Sequence, residues 1–240
     1  MISVIIPTYS HGWALPACLD SLGAQTFQDF EIIIMDDGST DGTETIVKEY
    51  IRSHKEEPRI RYLKIDHRGA PTARNTGARQ SRGEFLLFAD ADLILKADML
   101  QKLQTTLENH PEASYAYSSF RFGWKKFLSQ PFDAAALRQN NYIHTTALIR
   151  RQHFTGFDER LTRFQDWDLW LTMLEQNHIG VFVDEELFIA RVNQVGISRW
   201  RPRLWYRLWA VTERWTGLAP ASWRKFVVAK KIVQRKHNLS

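Results

Sequence analysis

Between residues 2 and 109 short strand-like runs alternate four times with predicted helices, the first of which has apolar residues at helical spacing. The runs fall at 3–6, 30–35, 59–65 and 84–89, and the helical segments at 13–22, 43–52, 70–81 and 96–109. The first, second and fourth are apolar runs without alternation, which read as strands buried on both faces, and the third reads as a strand. Strands separated by helices and short loops demand a parallel sheet with right-handed crossovers and helices on both faces. The expected class is therefore α/β, a Rossmann-like, mostly parallel sheet flanked by helices. Pro7 closes the first run, and Gly69-Ala70-Pro71 opens the third helix with proline in its first turn.

After residue 110 the pattern loosens. Residues 114–118 and 120–124 predict a strand pair, 145–149 a strand, and 166–176 a helix with Leu169, Trp170, Met173 and Leu174 on one side. Short strands are expected at 181–183 and 187–192. Together they predict a small antiparallel element that closes one side of a pocket.

The 240 residues, 44% hydrophobic and 25% charged, suffice for one large domain or a domain with an appendage. The single cysteine, Cys18, lies among Leu15, Leu19 and Leu22 and reads as a core thiol, so a reducing compartment is allowed. No run approaches the roughly 18 apolar residues of a membrane span. A strand that begins at Ile2 leaves no leader, which predicts a cytoplasmic chain, peripheral at most on the inner face of the membrane.

The net charge of +5 hides an asymmetry. Residues 199–240 carry +10 and five of the nine tryptophans, whereas residues 1–198 carry −5. A domain over 1–198 and a basic, Trp-rich helical extension over 199–240 follow. Trp200, Leu204, Trp205, Leu208 and Trp209 are spaced along one helix face between arginines. Phe226, Val227, Val228, Ile232 and Val233 form a second apolar set among Lys230, Lys231, Arg235 and Lys236. Such segments suit an anionic membrane surface; the plainer reading is that they pack on the first domain and expose solvated charge. A nucleic-acid partner is not expected, because the acidic first domain repels a polyanion.

The fourth run ends in Asp90-Ala91-Asp92. In open parallel sheets ligands bind beyond the carboxyl ends of the strands. Two carboxylates there, with no basic neighbour in sequence, point to a divalent cation carrying a phosphate-bearing substrate. The first run ends in Thr8-Tyr9 and the second in Asp36-Asp37, so Tyr9, Asp37 and Asp92 share one rim. The tyrosine face suits stacking on a base, a carboxylate suits a uracil-like imide, and Arg74 suits a phosphate. The plainer reading makes residues 36–41 turn and cap residues, which accounts for Asp41. Neither a dinucleotide fingerprint nor a Walker loop is present, and Cys and His do not cluster at zinc spacing. His11, His67, His144 and His153 read as surface or structural, His144 being the open case.

A second acidic constellation spans residues 156–161 and 165–170. Asp166 stands at a helix start, where the dipole favours a carboxylate, and either caps the helix or takes a proton from a sugar hydroxyl.

In order and spacing, these motifs resemble the family 2 inverting glycosyltransferases of GT-A fold. The residues that carry the resemblance are Val4-Ile5-Ile6-Pro7-Thr8-Tyr9, Gln25-Thr26-Phe27, Met35-Asp36-Asp37-Gly38-Ser39, Gly69-Ala70-Pro71-Thr72-Ala73-Arg74-Asn75, Asp90-Ala91-Asp92, Gly156-Phe157-Asp158-Glu159 and Asp166-Trp167-Asp168. It covers roughly residues 2–192 and is similar to bacterial enzymes of polysaccharide or lipopolysaccharide assembly. The resemblance implies a donor site of Pro7, Thr8, Tyr9, Asp37, Arg74, Asp90 and Ala91, with Tyr9 on the base of a nucleotide-sugar, UDP-linked by preference, and Asp37 bonded to that base. It also implies Asp92 as ligand to Mg²⁺ or Mn²⁺, Asp166 as catalytic base, and Trp167 and His144 on the side of a saccharide or lipid-linked acceptor. Two positions depart from the family pattern. Gln165 replaces the usual Glu before the base, and Asn193 stands where a Tyr-Arg-x-His motif ends in histidine. A catalytically silent nucleotide-sugar-binding protein is the alternative. A nucleotidyltransferase would carry a basic, Gly-rich loop after the first strand, and residues 8–12 hold no Lys or Arg.

Overall fold

The computed structural model describes residues 1–54, 59–191 and 220–239. The elements in chain order are β1 (Ile2–Thr8), α1 (Leu15–Gly23), β2 (Phe30–Asp36), α2 (Thr43–Ser53), β3 (Ile60–Lys64), α3 (Ala70–Gln80), β4 (Phe85–Phe88), β5 (Leu93–Leu95) and α4 (Met99–Asn109). There follow β6 (Tyr115–Phe122), β7 (Lys125–Phe127), α5 (Ala134–Gln139), β8 (Leu148–Arg150), α6 (Gln165–Glu175), β9 (Gly180–Ala190) and α7 (Ala221–Lys236).

One nine-stranded sheet runs in the order β3-β2-β1-β4-β8-β6-β9-β5, with β7 paired to β6 off that path. β3, β2, β1 and β4 are mutually parallel, as expected. The later strands do not form a separate element but continue the same sheet: β8 is antiparallel to both β4 and β6, and β5 is antiparallel to β9. The predicted break near Ser119 is absent. A register shift in the β6–β9 ladder at Ser118 to Phe120 changes the phase of the apolar alternation while the strand carries on. The two short strands expected at 181–183 and 187–192 are one strand, β9, whose polar middle of Asp184, Glu185 and Glu186 disguised it.

Apolar side chains from the two sheet faces fill two clusters. One lies under α1 and α4 around Val4, Ile6, Leu19 and Leu103; the other lies under α3 and α6 around Ile5, Phe88, Trp167 and Trp170. α3 approaches the sheet closely at Gly77, where an added Cβ would stand 2.5 Å from Ile5 Cγ2 and 2.9 Å from Met35 Cγ.

Strand order reverses between β1 and β4, and the register there explains Pro7. The Ile5 carbonyl accepts from Ala89 N–H toward β4, and the Thr8 carbonyl accepts from Asp37 N–H toward β2. Backbone groups alternate sides along a strand, so Pro7 faces the β4 side, beyond the last paired residue, Phe88. A residue without an N–H leaves no unmet donor where the sheet splays open. This is the crevice at which α/β sheets bind ligands.

α7 is the described part of the basic extension. It packs on the domain: Val233 is fully buried in the cluster that contains Trp167, and the Phe226 ring meets Phe164 edge-on at 5.0 Å. The Trp200–Trp209 set and Asn193 lie outside the described residues. Among the described residues no helix is long and apolar enough to cross a membrane.

Candidate active site

The β2 end organises two loops. Asp36, fully buried, accepts from Ser39 N–H at 2.8 Å and from the Tyr62 hydroxyl. Asp37, also buried, accepts from the backbone N–H groups of Arg68 at 2.8 Å and Gly69 at 2.8 Å, and lies 2.8 Å from His67 Nδ1. Three neighbours thus occupy most of the carboxylate's lone-pair sites and tie residues 67–69 to the β2 end. Asp41, as read, holds the α2 start by accepting from Thr43 N–H at 3.2 Å.

Tyr9 is 44% exposed at the crevice, its ring stacked on His67 with centroids 4.0 Å apart. Beside them a cavity of about 820 Å³ is lined by Gly38, Lys64, His67, Arg68 and Thr72. Thr8 is buried, and its hydroxyl has no hydrogen-bond partner among the described residues.

Arg74 is the centre of the arrangement. α3 buries it against the Phe157 ring, 5.3 Å away. Its guanidinium donates to Asp90 Oδ1 at 2.7 Å and to Gln165 Oε1 at 2.8 Å, while its Nε is buried without a partner. One side chain thus ties the β4 end to the first turn of α6. Burial works to raise the Asp90 carboxyl, but Arg74 above all, with His144 and His11, holds it below the ordinary carboxylate range. Asp92 has no ion pair among the described residues. Burial, and then the charge of Asp90, push it up to about 6. Its backbone carbonyl accepts from Arg191 N–H at 3.0 Å, and the Arg191 guanidinium lies 5.2 Å from the Trp13 ring. Ala91 is buried between the two aspartates. Cys18 is fully buried beneath them, its Sγ 3.9 Å from the Asp90 carbonyl oxygen, and burial pushes its thiol up to about 12.

Asp166 opens α6 beside Gln165. Its carboxylate accepts from its neighbour Trp167 N–H at 2.8 Å and from Asn141 Nδ2 at 2.7 Å. Burial raises its proton affinity above that of an ordinary carboxyl, against the pull of the Trp167 N–H, His144 and Arg74. His144 lies within electrostatic reach of both Asp90 and Asp166, its ring 4.7 Å from Phe120 and 5.1 Å from Phe188. Thr146 N–H donates to His144 Nδ1 at 3.1 Å. Burial lowers its pKa, and a ring that accepts at Nδ1 carries its hydrogen on Nε2.

Trp167 is not at the pocket. It is buried in the core, and its indole N–H donates to the Leu137 carbonyl at 2.7 Å. A residue adjacent in sequence to Asp166 on a helix points about 100° away from it, and here that direction is inward. Asn141 and Gln165 are the site residues that motif reading undervalued. Asn141 had no signal beyond a polar run before β8, and Gln165 was read only as a substitution.

Two carboxylates, one compensated by arginine and one not, fit a hard cation. Mg²⁺ characteristically binds through one or two carboxylates together with substrate phosphates and water. Among the described residues no cluster of three His, Cys, Asp or Glu forms an all-protein metal cage.

The model of glycosyl transferase family 2 matches residues 3–166. The chain belongs to this family. It is 27% identical over 215 residues to the uncharacterized glycosyltransferase EpsJ of Bacillus subtilis, covering 80% of this chain and 61% of that one. It is 26% identical over 188 residues to the chondroitin synthase of Escherichia coli, covering 73% and 26%. Such curated relatives are longer proteins, and the chain spans from about a quarter to under two thirds of them. Among solved structures, S. aureus TarS 1–349 in complex with UDP-GlcNAc superposes with a TM-score of 0.69 at 19% identity, covering all of this chain and 73% of that one. The mannosyltransferase PcManGT of Pyrobaculum calidifontis, in complex with GDP-Man and Mn²⁺, gives 0.67 at 20%, covering 97% and 69%. The fold of this family 2 chain is GT-A, a single mixed sheet flanked by helices.

Proposed function

We propose that this family 2 chain transfers a sugar from a nucleotide-sugar, UDP-linked by preference, to a hydroxyl of a saccharide or lipid-linked saccharide, by one displacement with inversion. The observation that carries this reading is the Arg74 bridge. It ties Asp90, at the end of β4, to Gln165, next to the base candidate. The UDP-GlcNAc and GDP-Man held by the two neighbours support a nucleotide-sugar donor.

On the donor side, Pro7, Thr8 and Tyr9 border the base, and Tyr9 leaves His67 to stack on it or widens that stack. Asp37 shapes this pocket by ordering residues 67–69. The unmet Arg74 Nε and Thr8 hydroxyl are polar groups for the diphosphate and nucleoside. Asp90 and Ala91 border ribose or sugar. Asp92 is the residue to hold Mg²⁺ or Mn²⁺, which when bound neutralises charge on a departing diphosphate. On the acceptor side, Asp166 takes the hydroxyl proton. Asn141 fixes its second oxygen, so the first lone pairs stay aimed by the α6 terminus. His144, as a neutral donor at Nε2, is a partner for an acceptor oxygen. Gln165 gives Arg74 an uncharged partner, which tunes Asp166 without removing it. The exposed face of α7, with Lys225, Val228, Lys231, Ile232 and Arg235, supports peripheral contact with an anionic, cytoplasmic membrane face.

Thermal shift with a panel of nucleotide-sugars and Mn²⁺ identifies the donor. Release of nucleoside diphosphate by wild type and Asp166→Ala then tests the base. No shift with any donor, or equal release by the two proteins, removes this reading in favour of a silent binding protein or of another base.

A further inference from the structure

The β6–β7 hairpin turns through Gly123 and Trp124, and it carries the most exposed large apolar side chains among the described residues. Trp124 is 85% exposed and Leu128 is 76% exposed. This exposure does not come from a loose loop. Phe127 of β7 stacks on Phe120 at 4.9 Å, and Phe120 stacks on Phe188 of β9 at 5.1 Å, so the hairpin is braced on the sheet by three parallel rings. Gly123 N–H donates to the Ala190 carbonyl at 3.0 Å.

The surroundings of the tip are cationic. Lys125 and Lys126 follow Trp124, and Arg121 precedes it. Arg121 and Lys126 share a single carboxylate, Glu186, at 3.0 and 2.8 Å. Lys125 Nζ lies over the Phe127 ring, 4.8 Å from its centroid. A tryptophan at the apex, an aliphatic side chain beside it and an excess of lysine behind them is the chemistry of the bilayer interface. The indole sits at headgroup level, the leucine reaches acyl chain, and the cations meet anionic lipid.

We infer that the tip of this hairpin, Trp124 and Leu128 with Lys125 and Lys126, seats the protein on an anionic lipid bilayer. Its position gives the contact a consequence. The turn bonds to Ala190, and the next residue, Arg191, bonds through its N–H to the carbonyl of Asp92. The tip therefore stands at the rim of the candidate active site, and seating it brings the mouth of that site to the lipid surface. That last clause rests on the proposed transfer to a lipid-linked acceptor; the binding itself does not.

The test is co-sedimentation of the full chain with vesicles of phosphatidylcholine alone and of phosphatidylcholine mixed with phosphatidylglycerol. Wild type is expected on the mixed vesicles and not on the neutral ones. Trp124→Ser with Leu128→Ser is expected to weaken that partition about tenfold or more. Lys125→Gln with Lys126→Gln is expected to weaken it several-fold and to lower its salt sensitivity. Trp124, Leu128 and Lys126 are exposed and Lys125 is half-buried, and both variants should keep the wild-type melting temperature. A Lys225→Gln, Lys231→Gln, Arg235→Gln variant on α7 separates the two surfaces, and it should retain the hairpin-dependent part. Wild type that ignores anionic vesicles, or a Trp124/Leu128 variant that binds as wild type does, overturns the inference. So does a change of sedimentation coefficient in that variant without lipid, which would make the tip a contact between copies of the chain. Donor turnover enters none of these readings, so they stand or fall apart from the proposed reaction.

Discussion

At the scale of single residues, the site is a matter of which charges have partners. Asp90 has Arg74; Asp92 makes no ion pair among the described residues and is pushed up to about 6 by burial and by Asp90. Asp166 is held by an amide and a backbone N–H, both neutral donors, and burial raises its proton affinity. Asp166→Asn should lower kcat by about 10²–10⁴-fold, with the donor-induced thermal shift retained. The proposed base acts only when ionised. Because burial raises its pKa, activity should fall on acidification at a pH above the ordinary carboxylate range, a limb that a pH–rate profile would locate. Gln165→Glu adds a negative charge beside Asp166 and should move that limb further up; an unmoved limb would disconnect residue 165 from the base. These aspartates were legible in the sequence because strand ends and helix starts are where carboxylates need a reason to be. Their partners were not. Asn141 meets Asp166 across 25 residues, a pairing no local pattern announces.

Among the elements, legibility followed burial. β1, β2 and α1 were readable since their apolar residues obey one period, and α3 was marked by Gly69 and Pro71 at its start. β5, three residues long, and α5, six residues long, offer too few positions to show a period at all. Trp167 was misassigned for the opposite reason: it belongs to the inward stripe of α6, where a large aromatic ring is core before it is anything else. The tight seat of α3 gives a prediction of its own. Gly77→Ala pushes a methyl group into Ile5 and Met35 and should cost about 1–3 kcal/mol, read as a lower unfolding midpoint. α6 is held at its other side by α7. His237 is nearly buried, with Nε2 2.9 Å from Asp168 Oδ1 and Nδ1 2.8 Å from Glu175 Oε1, and Lys236 Nζ lies 2.8 Å from Asp168. Both ring nitrogens face carboxylates, so the imidazole is doubly protonated. Burial alone would lower its pKa, but Asp168 and Glu175 carry it above the usual histidine value. A raised folded-state pKa contributes stability that is complete below the unfolded value of about 6.5 and is lost as pH rises through the folded one. His237→Gln should therefore melt lower than wild type below the unfolded value of about 6.5 and converge toward it as pH rises through the raised folded-state pKa.

For the whole molecule, charge and packing divide the labour. The acidic domain binds its basic extension through Asp158, Asp168 and Glu175, and Val233 fills a place in the same core as the α6 tryptophans. The compositional boundary near residue 199 is thus a real change of charge, yet α7 packs with the domain as one body. A chain cut after Ala219 should lose about 2–4 kcal/mol from Val233 and the Asp168 pairings and melt several degrees lower, in one transition, by calorimetry. The Arg74 bridge has a consequence at this scale too. In the proposed reaction one guanidinium serves both halves of the pocket, which links the two substrates thermodynamically. Whatever factor the donor's diphosphate imposes on acceptor affinity by drawing on Arg74, the acceptor must return upon the donor.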